Sequence, residues 1–350
     1  MLKQFFEFKE TDRKWPVPVL AGLSVGIPML AGYFTGMLQG GKLASLAGLV
    51  ILYSHSVRIA NRLTILMACS FGIMVSFAVG SLFSFNPLVA PLVLGLYAFI
   101  VHVGLYYLKM TRPPGNFFFI MIASVAICLP FKLDVIPQNI GFVGIGTMIS
   151  FVLALVHGLL TLNSNSNDNQ TLVIEKSKYV NLIESATFGS MVGLALLIAN
   201  LLELENPYWV PTSCAAVMQG ISTQHIWQRS IQRIVGTFIG LGLTWLILLL
   251  QPSLLMLCLG VIGLQLIVEF LVVRNYGLAV IFITILTIFL AESGNSLTTD
   301  PTTLIFARFI DILIGSVIGA FGGWMLYNER LQYKATRQMR RTKILVARRK

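Results

Sequence analysis

NSNSNDNQTLVIEKSK, residues 163–178, is the one markedly polar interior stretch of a chain that otherwise reads as a succession of apolar runs. Crossing a hydrocarbon layer of ~30 Å takes about 20 apolar residues. On that measure, six runs precede the polar stretch, at 15–35, 43–57, 63–84, 88–108, 116–130 and 139–161, and six follow it, at 183–202, 208–221, 232–250, 254–273, 277–291 and 303–326. The shorter runs are expected to be broken or tilted. The predicted fold class is all-α, a polytopic membrane helical bundle of about 12 transmembrane helices arranged as two parallel six-helix repeats. Residues 1–14 read as an interfacial N-terminal segment, 15–162 as the first transmembrane half and 163–180 as a cytoplasmic linker. The second half is 181–328, and 329–350 is a basic cytoplasmic tail.

Composition agrees with this reading. The 350 residues are 56% hydrophobic and 11% charged, with a mean hydropathy of +0.81. Soluble domains carry about 25% charged residues, and one soluble core of this length could not hide so much apolar surface. The formal net charge of +11 does not point to nucleic acid, because the cations sit between apolar runs and in the tail. Cys69, Cys128, Cys214 and Cys258 each lie in an apolar run without C-x-x-C spacing, so they read as small hydrophobes. No secretory signal is expected, since residues 1–14 are too polar. No phosphate-binding loop, nucleophile elbow, zinc-binding H-E-x-x-H or dinucleotide fingerprint occurs in the sequence. The chain therefore reads as no enzyme, with no cofactor and no metal.

Orientation follows from the cations, because Lys and Arg in short loops remain cytoplasmic. With both termini cytoplasmic, every Lys and Arg of the 25 except Lys42, Lys132 and Arg308 falls inside. The tail, with its run of arginines and lysines, is expected to lie on anionic membrane lipid.

Two elements recur in the halves: Arg58-x-x-x-Arg62 matches Arg229-x-x-x-Arg233, and Arg112-x-x-Gly115 matches Arg274-x-x-Gly277. Six spans is an even number, so such a repeat is parallel, with its axis along the membrane normal and a pathway expected between the halves. Arg229 and Arg233 share a helix face with Gly236 and Gly240, whose spacing lets another helix approach closely. An arginine pair there grips a carboxylate or anchors the helix at the headgroups, and both readings stand. Asn206-Pro207-Tyr208-Trp209-Val210-Pro211-Thr212 reads as a broken or re-entrant helix facing a cavity, or as an aromatic belt at the interface.

Glu269, Arg308 and Asp311 lie inside apolar runs, the last two being three residues apart. Intramembrane charges pair with one another or line a wet path. Arg308 and Asp311 therefore either pair with each other or with a neighbouring helix as structural glue, or Asp311 takes part in proton or substrate coupling, and Glu269, buried in mid-run, is the second candidate for proton coupling. His102 and His157 are expected to be structural.

At Pro207 to Thr212, Arg229 to Thr237, Tyr276 to Thr284 and Arg308 to Gly315, the residues resemble four successive elements of the fusaric acid resistance (FUSC) type of bacterial inner-membrane protein, in the aromatic acid exporter superfamily. The resemblance covers about 180–330, and the first half only through its span pattern and Arg58/Arg62. Larger bacterial members carry a sizeable cytoplasmic domain between the halves where this chain has only its linker. The resemblance implies a multi-pass protein of the bacterial inner membrane that exports aromatic or other organic carboxylates, driven by the proton motive force, with a small organic anion as its partner. The expected substrate contacts are Arg58, Arg62, Arg229, Arg233, Tyr208, Trp209 and Tyr276. Plant aluminium-activated malate channels share the arginine–glycine–threonine element, which leaves a passive organic-anion channel as one alternative and a non-transporting scaffold as the other.

Overall fold

A computed structural model describes residues 8, 10, 11, 13, 15–54, 59–110, 113–161, 178–292 and 301–328, with isolated positions of the tail. Arg58, Arg112, most of the N-terminal segment, linker residues 162–177 and the end of the tail lie outside the described residues. Among the described residues, twelve α-helices follow the twelve apolar runs in order. They are α1 (Pro16–Phe34), α2 (Leu38–Gly48, continued by a 3-10 turn, Leu49–Tyr53), α3 (Ile59–Leu82), α4 (Ala90–Tyr107), α5 (Phe117–Ile127) and α6 (Ile136–Leu160). The second six are α7 (Lys178–Leu201), α8 (Trp209–Met218), α9 (Thr223–Leu249), α10 (Leu254–Leu271), α11 (Tyr276–Glu292) and α12 (Pro301–Tyr327). No strand occurs among the described residues.

Eight of these helices are long and apolar enough to cross a membrane; α2, α5, α8 and α11 are shorter. Ten residues of α8 rise about 15 Å, half of a hydrocarbon layer. A helix that ends at half depth must have its terminal amides and carbonyls enclosed by protein. Burial follows this requirement: all ten residues of α8 are buried, as are all of α5 except Phe117 and Val125. α8 is continuous rather than broken, because Pro211 stands in its first turn, where no intrahelical donor is required.

Several boundaries differ from the hydropathy reading. α2 begins at Leu38 instead of 43, after a turn in which Gly36 takes a φ of 72°. Gly41 then lies so close to Gly32 of α1 that a Cβ there would come within 2.9 Å of the Gly32 Cα. α9 begins at Thr223 rather than 232, its first turn capped by the Ser222 hydroxyl, which accepts from the His225 amide at 3.2 Å. Arg229 and Arg233 are therefore inside the helix and not ahead of it.

The order long, short, long, long, short, long occurs twice. In the first half α1 packs on α2 and α6, α2 on α6, α3 on α5 and α6, and α4 on α5. The second half has the corresponding pairs: α7 on α8 and α12, α8 on α12, α9 on α11 and α12, and α10 on α11. Between the halves α4 packs on α7 and α1 on α10, two contacts that exchange under the same correspondence. The halves are thus interlocked. One apolar core joins Val25 and Phe77 of the first half to Val261 and Phe289, a second joins Leu94 and Ala98 to Leu196 and Cys214, and a small third holds Val217, Ile226 and Ala320. All four cysteines are free.

Contacts between connecting segments sort into two sets, as alternating helix directions require. Phe85 meets Phe131 and Asn200 donates to the Pro87 carbonyl, while Tyr53 donates to the Gly115 carbonyl and Gln219 to that of Pro114. The first set joins the segments expected outside, the second those expected inside.

Gly315 and Gly319 let α12 lie directly on α8. A Cβ at Gly319 would fall 2.8 Å from the Cys214 carbonyl oxygen and 2.9 Å from the Val217 Cβ. Backbone on the facing helix cannot swing aside, so Gly319→Leu is expected to cost about 1–3 kcal/mol through overpacking. Gly242→Ala, with nothing within 4 Å of the added Cβ, is expected to be near neutral. The thermal midpoints of the two detergent-solubilised variants make the comparison.

Candidate functional site

Four helices of the second half, α8, α9, α11 and α12, carry the four sequence elements quoted above and pack on one another. Their polar side chains turn inward onto a single file. Arg233 is the eleventh of 27 residues in α9, about 15 Å from the helix start, and is 6% exposed. Its Nη2 donates to Ser213 Oγ at 3.1 Å and its Nη1 to Tyr276 Oη at 3.3 Å. Arg229, one turn earlier on α9, lies over the Tyr276 ring at 4.0 Å from the centroid.

Arg308 of α12, 5% exposed, lies over the Trp209 ring at 3.0 Å and donates from Nη2 to Thr287 Oγ1 at 2.9 Å. Trp209 and Ser213 are four apart on α8, so the two guanidinium sites are stacked one helix turn apart along that short helix. Between them Thr284 Oγ1 reaches Thr237 Oγ1 at 3.5 Å. Gly236 and Gly240 make this possible, since Cβ atoms there would lie 2.8 and 2.6 Å from the carbonyl oxygens of Gly277 and Ile281 on α11.

Two helix starts meet the file. Trp209 is the first residue of α8 and Tyr276 the first of α11. A helix N-terminus carries a partial positive charge, which adds to that of the guanidiniums. Arg233's hydrogen-bond partners are neutral hydroxyls, and no carboxylate among the described residues lies within ion-pair distance of it. The site therefore concentrates positive charge in an apolar surrounding, the condition under which an entering anion is stabilised.

Asp311 is fully buried, and neither of its carboxylate oxygens has a hydrogen-bond donor among the described residues. Arg308 and Asp311 make no hydrogen bond with each other; the guanidinium reaches Thr287 on the neighbouring α11 and the Trp209 ring. Gly315, one turn further along α12, contacts Val210 and Ser213 of α8, so Asp311 belongs to the face of α12 that meets the start of α8.

The remaining expected residues are placed elsewhere. Glu269 is not in mid-helix but two residues from the end of α10, 4% exposed, and paired with Arg13 at 2.8 Å. Gln265 also donates to it at 3.2 Å, and Trp15 packs against Phe270 at 5.7 Å. Arg62 faces His157 Nδ1 at 3.3 Å inside the first half, well apart in the packing from the α8–α12 file, and Tyr208 stacks on Trp209 ahead of α8. His102 meets Asn116 at 3.0 Å. No group of His, Cys, Asp and Glu suited to a metal occurs among the described residues. Sequence reasoning missed Ser213, Thr287 and Arg13. Ser213 could have been found four residues after Trp209, and Thr287 three after Thr284, each on the inward face of its helix.

A family model described as fusaric acid resistance protein-like matches residues 194–322, an interval that holds α8, α9 and α11 whole, and α12 up to Gly322. Residues 194–322 are similar to that family. The chain is also similar to the uncharacterized membrane protein YvaC of Bacillus subtilis (strain 168), at 35% identity over 146 residues. That match covers 42% of this chain and 23% of the relative. No solved structure matches the chain.

Proposed function

We propose that the protein carries small organic carboxylates across the bacterial inner membrane through the α8–α9–α11–α12 file. Aromatic acids are the expected substrates, export the direction, and the proton motive force the driver. The observation that supports this reading is Arg233: a guanidinium buried in an apolar bundle, whose hydrogen-bond partners among the described residues are the hydroxyls of Ser213 and Tyr276. A structural cation at such a place needs a carboxylate partner, whereas a transport site leaves that position to its cargo. Both ends of the sequence then lie on the cytoplasmic side, and the recurring helix order supports reading the halves as two parallel repeats about an axis along the membrane normal.

Proteoliposomes test the proposal. Flux of benzoate, salicylate and malate is measured with and without an imposed pH gradient, and gradient-dependent movement of at least one is the expected outcome. Current without a response to the pH gradient would replace the carrier with an anion channel. No movement of any acid under either condition would leave a scaffold and overturn the proposal.

A further inference from the structure

The two hydroxyls that receive Arg233 differ in what carries them. Ser213, on Nη2 at 3.1 Å, stands in the middle of α8, a helix buried along its whole length. Tyr276, on Nη1 at 3.3 Å, is the first residue of α11 and is half-buried. Arg229 lies over the same phenol ring at 4.0 Å, so one side chain is gripped by two guanidiniums, through its face and through its oxygen. Each guanidinium also keeps a donor unclaimed: Arg229 Nε and Arg233 Nε are buried without a hydrogen-bond partner among the described residues. A buried donor without an acceptor costs free energy, and an incoming acceptor recovers it.

We propose that Tyr276 is the gate of the Arg229–Arg233 site: its phenol keeps the place of the cargo while the site is empty, and an aromatic carboxylate displaces it. This rests on the reading of the file as an anion route and names what closes that route. The exchange has a direction, because a phenol hydroxyl is a neutral acceptor and a carboxylate a charged one, and a guanidinium holds the charged acceptor more strongly. A neutral solute gains nothing by the exchange, so the gate yields to anions. An aromatic acid matches the phenol in both respects, offering a ring face to Arg229 and an oxygen to Arg233. An aliphatic acid of equal charge replaces only the second contact, so the site prefers aromatic acids.

The backbone beside Tyr276 is fixed on both sides. Gly277 follows it, and a Cβ at Gly236 would come within 2.8 Å of the Gly277 carbonyl oxygen, so α9 and α11 touch backbone to backbone one residue from the gate. Asn275, 4% exposed, precedes it and caps α11 by accepting from the Leu278 amide at 3.0 Å. What remains free to turn is the tyrosine side chain itself, at the end of a helix beside the α10–α11 connection. Arg274 in that connection is engaged elsewhere: its guanidinium lies over the Phe270 ring at 3.8 Å and donates to the Phe270 carbonyl at 2.9 Å.

Binding of radiolabelled benzoate to the full chain in detergent tests the gate. Tyr276→Phe keeps the ring and removes the hydroxyl, and is expected to bind benzoate about tenfold more tightly than the wild type, the scale of one hydrogen bond to a charged group. Tyr53→Phe is the control: it removes a tyrosine hydroxyl that donates to the Gly115 carbonyl in the first half, and is expected to leave benzoate affinity unchanged. The wild-type chain gives an independent reading. Nitration of Tyr276 by tetranitromethane, followed by peptide mass spectrometry, is expected to speed up when benzoate is added, since the displaced phenol turns away from Arg233. Unchanged or weaker benzoate binding by folded Tyr276→Phe, or equal tightening in Tyr53→Phe, overturns the gate. Nitration that benzoate slows or leaves unchanged overturns it as well, and decides the matter if Tyr276→Phe does not fold. Benzoate bound by neither the wild type nor Tyr276→Phe overturns the anion route itself.

Discussion

Arg233→Lys is expected to weaken organic-anion binding by roughly 5- to 150-fold, about 1–3 kcal/mol, with the protein still folded and in the membrane. The substitution keeps the positive charge and the apolar stem. It removes the planar fork that reaches Ser213 and Tyr276 from two different nitrogens. A lysine ammonium can face one of these hydroxyls or the cargo, but it cannot span all three. Arg62→Lys is the matched control, since Arg62 meets His157 in the other half of the bundle. Equal losses in the two variants, measured as the half-saturating benzoate concentration in proteoliposomes, would remove Arg233 from the binding site.

The second large effect lies at the start of α1. Arg13→Gln should destabilise the protein by about 3–5 kcal/mol, because among the described residues Glu269 is then left as a buried charge with Gln265 as its remaining side-chain donor. Changing Glu269→Gln in the same chain should recover most of the loss, since neither position then requires a counter-charge. Unfolding midpoints of the single and double variants in detergent give the coupling directly. A double variant as unstable as Arg13→Gln alone would mean that the segment before α1 is held by Trp15 on Phe270 instead of by the ion pair.

The contrast between these two arginines explains what could be read from the chain before its fold was known. Twelve helices were legible because the bilayer requires a minimum length of apolar sequence, and polar breaks such as 163–178 separate the runs. The helix starts were less legible: Thr223 begins α9 through a serine cap, a local hydrogen bond to which hydropathy is blind. Arg229, Arg233, Tyr276, Trp209 and Arg308 could all be named, since charges and aromatics stand out in apolar runs. Their grouping depended on glycine spacing that brings α9 against α11 and α12 against α8. The partner of Glu269 was out of reach, because Arg13 is 256 residues away and nothing local announces the pairing. The orientation of Arg308 was equally hidden: sequence proximity favours Asp311, while packing offers Trp209 and Thr287.

The interlocking of the halves has a consequence for biosynthesis. Translation delivers α1 long before α10, yet each is the other's partner across the halves, and α4 must likewise wait for α7. While the first six helices are in the bilayer alone, Gly95 of α4 and Gly22 and Gly26 of α1 present closely fitting grooves to lipid, later filled by Gly189 and Gly193 of α7 and by Ile262 and Leu266 of α10. The first half is therefore an unfinished surface at the moment it is inserted, and α10 is the helix that seals it. A ribosome stalled anywhere between the linker and α10 would leave a membrane-embedded intermediate with one seam open, the kind of species that quality-control proteases and chaperones act on.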